Sequence, residues 1–458
     1  MSQQTSPVVP LLTPKEVSIN QIQTELNRIW AEQTAKANGS GPAAVRATTF
    51  SLLVYEPAQT QRLLAQLGYY SGPVDGIFGP RMKVALHAAQ KDFGLPQTNH
   101  ATAELLQRLR QKAQQQPVQT SSDPQTLPVF SQDSDGSGIA DLIANQNPCR
   151  VVSLFPVNDA MDEEGADLRA EVAAYCPVQK QRNSLICCEY ITLSGTRRSL
   201  ENITTLIQSL LMNDLPRFLW WKSDPDQSEE FFQKLARSCN GVIFDSSSFS
   251  QTQEGLIKMS QMVEQGLNVA DLNWKRLAAW QELTAEAFDP PSRRSALLEV
   301  DRVTIDYEAG NPAQALLFLG WLASRLQWHP TAVVQEEGPY NLLTVTFQNP
   351  QQRQIQAELA ALPVADVGEI AGDLIDLKLA STNLEADCCT VLCSQTTGCM
   401  RMEAGGGAQS CRVQQVTPLT DQKSEVLLSQ HLQRWSRDVL FEEGLAVSCA
   451  ILQLIALA

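Results

Sequence analysis

The stretch LLAQLGYYSGPVDGIFGPRMKVALHAAQKDFGL, residues 63–95, decides how the chain is organised. It contains two short apolar helical patterns separated by a loop rich in glycine and proline. An apolar run typical of a strand, ATTFSLLVYEP (47–57), precedes it. After a polar linker, IADLIANQNPCRVVSLFPV (139–157) has the pattern of a helix and then a buried strand. Removing the module and the linker leaves strand, helix and strand, so we predict a small helical module inserted into a host α/β domain.

Two apolar stripes define the helices of this module: Leu63, Leu64 and Leu67 in the first, and Val84, Leu86 and Phe93 in the second. The segment GPVDGIFG and the helix after it resemble the peptidoglycan-binding-like repeat of many wall hydrolases, over residues 62–109. The sequence departs from that repeat at Arg81-Met82, where a threonine is usual, and at 97–101, where the second glycine-containing loop is missing. We therefore expect a scaffold or protein-contact module, with saccharide binding as the alternative.

Length and composition indicate a multidomain soluble protein. The chain has 458 residues, 43% of them hydrophobic, enough to bury two or three cores. Its first residues lack a basic start followed by an apolar core, and no later run approaches the ~20 apolar residues of a membrane helix. We therefore expect a cytoplasmic protein without a membrane partner. The net charge of −15 argues against nucleic acid, because phosphates would repel such a surface.

The eleven cysteines are an odd number in a chain without an evident secretory signal, which predicts mostly reduced thiols. Several lie within apolar runs, where cysteine behaves as a small core hydrophobe. We expect such core packing for Cys149, Cys187, Cys188, Cys239 and Cys449.

The pattern predicts an α/β host domain formed by residues 1–57 and 137–270, the module at 58–112 and a solvated linker at 113–136. Continuous apolar strands alternate with helical segments, which indicates a mostly parallel sheet covered on both faces. The expected strands are CRVVSLFPV, SLICCEYITL, RFLWWKS and GVIFDSSS, with the helix ENITTLIQSLLMND between the second and third. The segment LRAEVAAYCPV is ambiguous, and we interpret it as an antiparallel hairpin strand rather than a helix.

Residues 271–458 have the pattern of an α+β domain with an antiparallel sheet. Two helices open it, one near Trp274 and one at 312–327. The expected strands are AVVQEE, NLLTVTF, QIQAEL, LIDLKLA, CTVLCS, CMRMEA and RVQQVTPL. From Gln422 onward the pattern indicates one long helix or two shorter ones.

Ligands of an open parallel sheet collect beyond the carboxyl ends of its strands. The ends of two of the expected strands carry Arg197, Arg198, Trp221 and Lys222, which are candidates for contact with a phosphate or a protein partner. The alternative interpretation of the arginine pair is a capped helix start with solvated charges. The sequence contains no glycine-rich dinucleotide fingerprint and no phosphate loop, so we expect no cofactor. None of the four histidines lies in a recognisable catalytic setting, so we predict no catalytic residues and no enzyme activity.

The densest chemical signal is a cluster of cysteines, Cys388, Cys389, Cys393, Cys399 and Cys411. Their spacing fits zinc poorly, and we predict no metal site. Cys393 and Cys399 flank a plausible hairpin turn, and a hairpin folded at Thr396 would set them opposite each other. Directly opposed Cα atoms lie ~4.5 Å apart, within disulfide reach. We therefore predict a redox disulfide between Cys393 and Cys399, and free thiols on a half-buried hairpin are the alternative.

The ordered segments RATTFSLLVYEP, NPCRVVSLFPV and LPRFLWW resemble the glucose-6-phosphate dehydrogenase assembly protein family, OpcA, in the form from photosynthetic bacteria that carries the inserted module. The resemblance extends over nearly the whole chain. It implies a non-catalytic protein that binds glucose-6-phosphate dehydrogenase, promotes its active oligomer and raises its affinity for substrate. It also implies redox control through thioredoxin, with the oxidised form as the effective activator. The alternative is an enzyme or binding protein acting on a sugar phosphate at the strand ends near Arg197 and Trp221.

Overall fold

The computed structural model separates the chain into two compact units. The amino-terminal unit comprises residues 1–244 and 428–435, and the carboxy-terminal unit comprises residues 245–427 and 436–458. This division falls before the predicted domain boundary at residue 270. The residues that the structure describes are 8–10, 15–36, 43–46, 48–56, 59–70, 80–95, 105, 108–109, 112, 148–157, 168–177, 184–225, 229–249, 251–336, 338, 341–363, 370, 372–383, 385–386, 390–395, 399–404, 413–418, 424–433 and 435–457.

The amino-terminal unit is built on a mostly parallel sheet. Its described strands are β1 (Val8–Pro10), β2 (Lys15–Val17), β3 (Ala43–Arg46), β4 (Ser51–Tyr55), β5 (Arg150–Val157), β6 (Arg169–Pro177), β7 (Ser184–Thr196), β8 (Arg217–Trp221) and β9 (Gly241–Phe244). Its described helices are α1 (Ile22–Lys36), α2 (Gln59–Gln66), α3 (Pro80–Asp92), α4 (Arg197–Asn202), α5 (Thr204–Leu210) and α6 (Glu230–Arg237).

The strand order in this unit is β1-β6-β7-β5-β4-β8-β9. Strands β7, β5, β4, β8 and β9 run parallel to one another, as the continuous apolar runs predicted. Strand β6 pairs antiparallel with β7, so the hairpin interpretation of LRAEVAAYCPV is confirmed. Strands β1 and β2 extend the sheet beyond β6, and β3 runs parallel to the first residues of β7.

A buried ion pair ties helix α1 to the centre of this sheet. Arg150 Nε on β5 donates to Glu189 Oε2 on β7 at 2.7 Å, and Trp30 Nε1 on α1 donates to the other carboxylate oxygen at 2.7 Å. The Glu189 side chain is completely buried. Because a buried charge is costly unless it is paired and hydrogen-bonded, these contacts fix the position of α1 on the sheet.

The inserted module has a small core of its own. Its buried side chains are Leu64, Tyr70, Met82, Ala85, Leu86, Ala89, Leu105 and Leu109. Gly68 follows the end of α2 with a φ of +78°, a backbone conformation that favours glycine. The prediction that Val84 lies on the apolar stripe of α3 was wrong, because that side chain is 70% exposed and Met82, Ala85 and Ala89 form the buried face instead. The motif GPVDGIFG lies outside the described residues.

The described strands of the carboxy-terminal unit are β10 (Val269–Asp271), β11 (Arg302–Glu308), β12 (His329–Glu336), β13 (Leu342–Gln348), β14 (Gln354–Leu362), β15 (Leu374–Ala380), β16 (Thr390–Gln395), β17 (Cys399–Ala404) and β18 (Val413–Pro418). The described helices are α7 (Thr252–Glu264), α8 (Leu272–Arg276), α9 (Ala278–Phe288), α10 (Pro291–Arg294), α11 (Ala313–Leu326), α12 (Ser424–Gln433), which crosses the division between the units, and α13 (Val439–Leu457).

The large sheet of this unit has the order β12-β13-β14-β11-β15-β16-β17-β18. All neighbours pair antiparallel except β11 and β14, which are parallel. The α/β class with a following α+β domain is therefore confirmed. Strand β11 was not predicted from the sequence, although its alternating residues Val303, Ile305 and Tyr307 are all buried.

Helix α13 corrects the expectation that no apolar run is long enough to span a membrane. It has 19 residues and meets that criterion by length and composition. In this unit it packs against α11, where Ser448 Oγ donates to the Leu316 carbonyl at 2.8 Å. Gly320 and Gly444 lie at the crossing, because a Cβ on Gly320 would clash with the Gly444 carbonyl. These contacts are those of a core helix.

Candidate functional site

The predicted arginine pair lies at the start of helix α4, directly after β7. Thr196 caps this helix by accepting a hydrogen bond from the Ser199 amide at 3.0 Å. Arg197 forms ion pairs with Glu201 at 3.2 Å and with Glu229. Burial alone would lower the pKa of Arg197, but the nearby Glu229 carboxylate outweighs it and the pKa is raised.

Arg198 is exposed, so the two arginines differ in environment. The capped helix start and the ion pairs of Arg197 match the alternative that the sequence left open for this pair. An anion approaching Arg197 would have to compete with two carboxylates already in contact with its guanidinium.

Trp221 and Lys222 lie at the end of β8, and both side chains are almost fully buried. The Trp221 ring stacks on Tyr55 with centroids 3.8 Å apart and planes 6° apart. Lys222 Nζ lies 3.6 Å from Glu56 Oε1 and 4.1 Å from the centre of the Trp220 ring. These two residues therefore form the packed end of the parallel strands, and they are not displayed toward a ligand at the surface.

Arg197 and Trp221 lie at the ends of β7 and β8, which β5 and β4 separate, and both have Tyr55 as a neighbour. Tyr55, which stacks on Trp221, is close enough to interact electrostatically with Arg197. Arg197 forms ion pairs with Glu201 and Glu229, and Lys222 lies beside Glu56, so both of these cations already face carboxylates at the strand ends.

The predicted hairpin of Cys393 and Cys399 is present as β16 and β17, but its register differs from the prediction. Cys393 pairs with Arg401, and Cys399 pairs with Gln395. The prediction of direct opposition was therefore wrong, because in the observed register each cysteine faces the residue two positions away from the other cysteine. The two cysteines occupy diagonal positions on one face of the hairpin, where Cα atoms lie ~7–8 Å apart.

A disulfide needs Cα atoms within ~4.4–6.8 Å. A bond between Cys393 and Cys399 would therefore require β16 and β17 to move relative to each other. On its other side β16 pairs with β15, with Cys393 opposite Asp376. Such a movement would be passed to the neighbouring strands of the sheet.

The carboxy-terminal unit also contains a buried polar network that the sequence analysis did not predict. Arg276 donates to both carboxylate oxygens of Asp245, at 2.7 and 2.8 Å, and Ser424 Oγ donates to Asp245 Oδ2 at 2.6 Å. Asp271 accepts hydrogen bonds from the Ser246 amide and hydroxyl, at 2.9 and 2.7 Å. Asp245, Asp271 and Arg276 are all less than a tenth exposed.

The two carboxylates of this network have opposite pKa shifts. Burial raises the pKa of Asp245, but the charge and hydrogen bonds of Arg276 outweigh it and lower the pKa to about 2. Burial and the neighbouring charge of Asp245 raise the pKa of Asp271 to about 6. Pairs of carboxyl groups with widely different pKa values occur in acid-base catalysis. Here Ser246, Asn273 and Arg276 hold both groups by direct hydrogen bonds, as in a structural ion-pair network.

Two sequence signals pointed to this network. Asp245 directly follows the short apolar strand β9, and Asp271 is the last residue of β10. Each side chain caps the helical turn that comes next by accepting from the backbone amide two residues later. Their pairing through Arg276 is a tertiary contact that no local pattern indicates. Within the described residues, no group of three or more histidine, cysteine, aspartate or glutamate side chains is placed to hold a metal ion.

The cysteines expected to pack in the core differ from their prediction at one position. Cys149, Cys188 and Cys449 are buried and free, as expected for core thiols, and Cys239 is free and partly exposed. Burial raises the pKa of Cys239 to about 11. Cys187 is buried but disulfide-bonded, so the prediction of a reduced core thiol was wrong there.

Comparison with known proteins assigns a family to both parts of the chain. Residues 140–261 match the model described as "Glucose-6-phosphate dehydrogenase subunit N-terminal domain", and residues 267–445 match the corresponding "C-terminal domain". A protein of Nostoc punctiforme is 54% identical over 99% of this chain and 97% of its own length, and its name is "Putative OxPP cycle protein OpcA". The chain belongs to the OpcA family.

Two further OpcA proteins have the same name. The Synechocystis sp. protein is 51% identical over 98% of this chain and 94% of its own length, and the Synechococcus elongatus protein is 47% identical over 98% of each. Residues 56–109 match the model "Putative peptidoglycan binding domain", so the recognition of the inserted module is confirmed. A dehydrogenase structure from Clostridium difficile covers 57% of this chain and 88% of its own at 10% identity and a TM-score of 0.35, too low to bear on function.

Proposed function

We propose that this chain is a non-catalytic partner of glucose-6-phosphate dehydrogenase that favours the enzyme conformation with the higher affinity for substrate. The observation that carries the proposal is the pair of adjoining subunit-domain matches, which together with the OpcA relatives cover the chain. The ion pairs at the strand ends and around Asp245 support a structural role for the charged groups that could otherwise suggest an active site. We place the protein in the cytoplasm, where the enzyme acts on a soluble substrate.

Steady-state kinetics test this proposal. The chain is titrated into glucose-6-phosphate dehydrogenase from a related photosynthetic bacterium, and the apparent KM for glucose 6-phosphate is expected to fall as the chain is added. A coupling of 1–3 kcal/mol corresponds to a change of ~5- to 150-fold. An unchanged KM at saturating chain would contradict the proposal. NADP reduction by the chain alone with sugar phosphates would instead support the enzyme alternative.

We further propose that thioredoxin controls this activity through Cys393 and Cys399. The diagonal positions of these residues supply a physical reason for a change of shape, since the bond forms only if β16 and β17 shift. Oxidation is expected to favour the activating shape. Cys393→Ser should then give the reduced behaviour under all conditions, whereas Cys239→Ser serves as the matched control. A Cys393→Ser protein that activates with undiminished redox sensitivity would remove this assignment.

The inserted module is proposed to contact protein rather than wall glycan. Its described residues include a buried apolar cluster, and Val84 on α3 is apolar and exposed. A sedimentation assay with insoluble peptidoglycan tests the distinction. Retention that disappears when the module is deleted would contradict the proposal.

A further inference from the structure

The disulfide of Cys187 lies in the amino-terminal sheet, away from the Cys393 hairpin in sequence. Cys187 is completely buried near the start of β7. Its next neighbour in the chain, Cys188, is free, as are Cys149 and Cys239 in the same unit. These three cysteines are therefore not the disulfide partner of Cys187, and Cys176 is the other cysteine in residues 1–244.

The register of the β6–β7 ladder identifies that partner. Tyr175 pairs with Cys188, so the next position along the two antiparallel strands places Cys176 opposite Cys187. Both strands continue past this point, β6 to Pro177 and β7 from Ser184. Directly opposed Cα atoms of antiparallel strands lie ~4.5–5.5 Å apart, within disulfide range. We propose that Cys176 and Cys187 form a redox-active cross-strand disulfide.

The position of this pair gives the bond a structural consequence. Cys176 also pairs with Val9 on β1, and Cys187 also pairs with Arg46 on β3. At this level the strands lie in the order β1-β6-β7-β3, and the disulfide would join β6 to β7. The outer strands β1 and β3 both belong to the first 46 residues of the chain. Reduction is expected to loosen the attachment of β1 and β3.

The chemistry is reversible thiol–disulfide exchange. One thiolate attacks the disulfide of an oxidant such as glutathione disulfide and releases one glutathione thiolate. The second cysteine then attacks the mixed disulfide and releases the other, so the protein loses two electrons and two protons, and the oxidant is reduced to two thiols. A dithiol reductant reverses both steps. Because Cys187 is buried, the hairpin must open before a reductant protein can reach this sulfur.

Peptide mapping of the protein oxidised with glutathione disulfide tests the pairing. Trypsin can cut after Lys180 and Arg182, which separates Cys176 in peptide 170–180 from Cys187 in peptide 183–197. These peptides should be linked before reduction and separate after it. The link should survive Cys188→Ser and disappear in Cys187→Ser. Alkylation of Cys176 and Cys187 in the oxidised protein would overturn the proposal, as would a link from peptide 183–197 to peptide 113–150, which contains Cys149.

Hydrogen exchange tests the structural consequence. Reduction of the parent protein is expected to speed exchange of amides in β1 and β3 by about tenfold or more, because loss of a disulfide typically costs more than the ~1.4 kcal/mol that tenfold represents. The strands β13 and β14 serve as the internal reference. Cys176→Ser should match the reduced parent, and Cys239→Ser should behave as the parent. Equal exchange in the oxidised and reduced parent would show that the bond does not hold these strands.

Discussion

Replacing Asp271 with asparagine is expected to remove one specific pH dependence from the stability of the carboxy-terminal unit. The Asp271 carboxyl is buried, and burial together with the charge of Asp245 raises its pKa from 3.8 to about 6. Its Oδ1 accepts from the amides of Ser246 and Asn273 at 2.9 and 3.0 Å. An asparagine carbonyl can accept the same two hydrogen bonds, so the variant retains the cap while it loses the ionisable group.

The sign follows from proton binding. The folded protein binds this proton more tightly than the unfolded chain does, so Asp271 contributes its full stabilisation below pH 3.8 and loses it as the pH rises to about 6. At ~1.4 kcal/mol per pH unit, a pKa raised from 3.8 to about 6 corresponds to a loss of about 3 kcal/mol. The asparagine side chain of the variant cannot ionise, so the variant avoids this loss.

Urea unfolding at about pH 4 and pH 7.5 measures the effect. The free energy of unfolding of Asp271→Asn minus that of the parent is expected to be about 2–3 kcal/mol larger at pH 7.5 than at pH 4, because only the parent loses stability over this range. The difference between the two pH values cancels any constant loss from the altered hydrogen bond to Ser246 Oγ. Asp289→Asn, at an exposed position, controls for the removal of one negative charge. A relative stability that is the same at both pH values would refute the reasoning.

Two further predictions compare matched variants. Arg276→Ala should lower the free energy of unfolding, measured in urea, by about 3–5 kcal/mol, because it leaves Asp245 buried without its cation. The control Arg437→Ala removes an exposed ion pair and should have a much smaller effect. Equal losses in the two variants would contradict a structural role for the buried pair. Gly320→Ala should lower the thermal midpoint, since its Cβ would clash at the crossing of α11 and α13 at a cost of about 1–3 kcal/mol, and Gly338→Ala, with open space around it, should not. Similar midpoints for the two glycine variants would show that the crossing can relax.

The parallel sheet could be predicted because the local sequence of each strand indicates that the strand is buried. The strand SLLVY of β4 is buried at every position, and a run without polar alternation is typical of a strand covered on both faces. The ambiguous segment around Tyr175 was also assigned correctly to an antiparallel hairpin.

Strand β11 and the hairpin register were not predicted, for different reasons. The alternation of Val303, Ile305 and Tyr307 was a usable signal, but the parallel pairing of β11 with β14 is non-local and has no signature in either strand. The register of β16 and β17 depends on the turn geometry, and a register shift of two residues moves Cys399 from a direct to a diagonal position.

The charged groups show a similar limit. The sequence correctly placed Arg197, Trp221 and Lys222 at the ends of parallel strands, because that position follows from the strand assignments. It did not show that Glu229 lies beside Arg197 or that Glu56 lies beside Lys222, because the members of each pair are far apart along the chain. Whether a cation is free to bind a ligand depends on such tertiary contacts.

The most direct test of the central claim is the equilibrium affinity of this chain for glucose-6-phosphate dehydrogenase, measured by titration calorimetry with and without saturating glucose 6-phosphate. If the chain favours the conformation that binds substrate better, linkage requires the substrate to tighten the protein complex by the same factor by which the chain tightens substrate binding. We predict a measurable complex that is stronger with substrate present. The absence of binding, or an affinity that substrate leaves unchanged while substrate binding itself responds to the chain, would contradict the account.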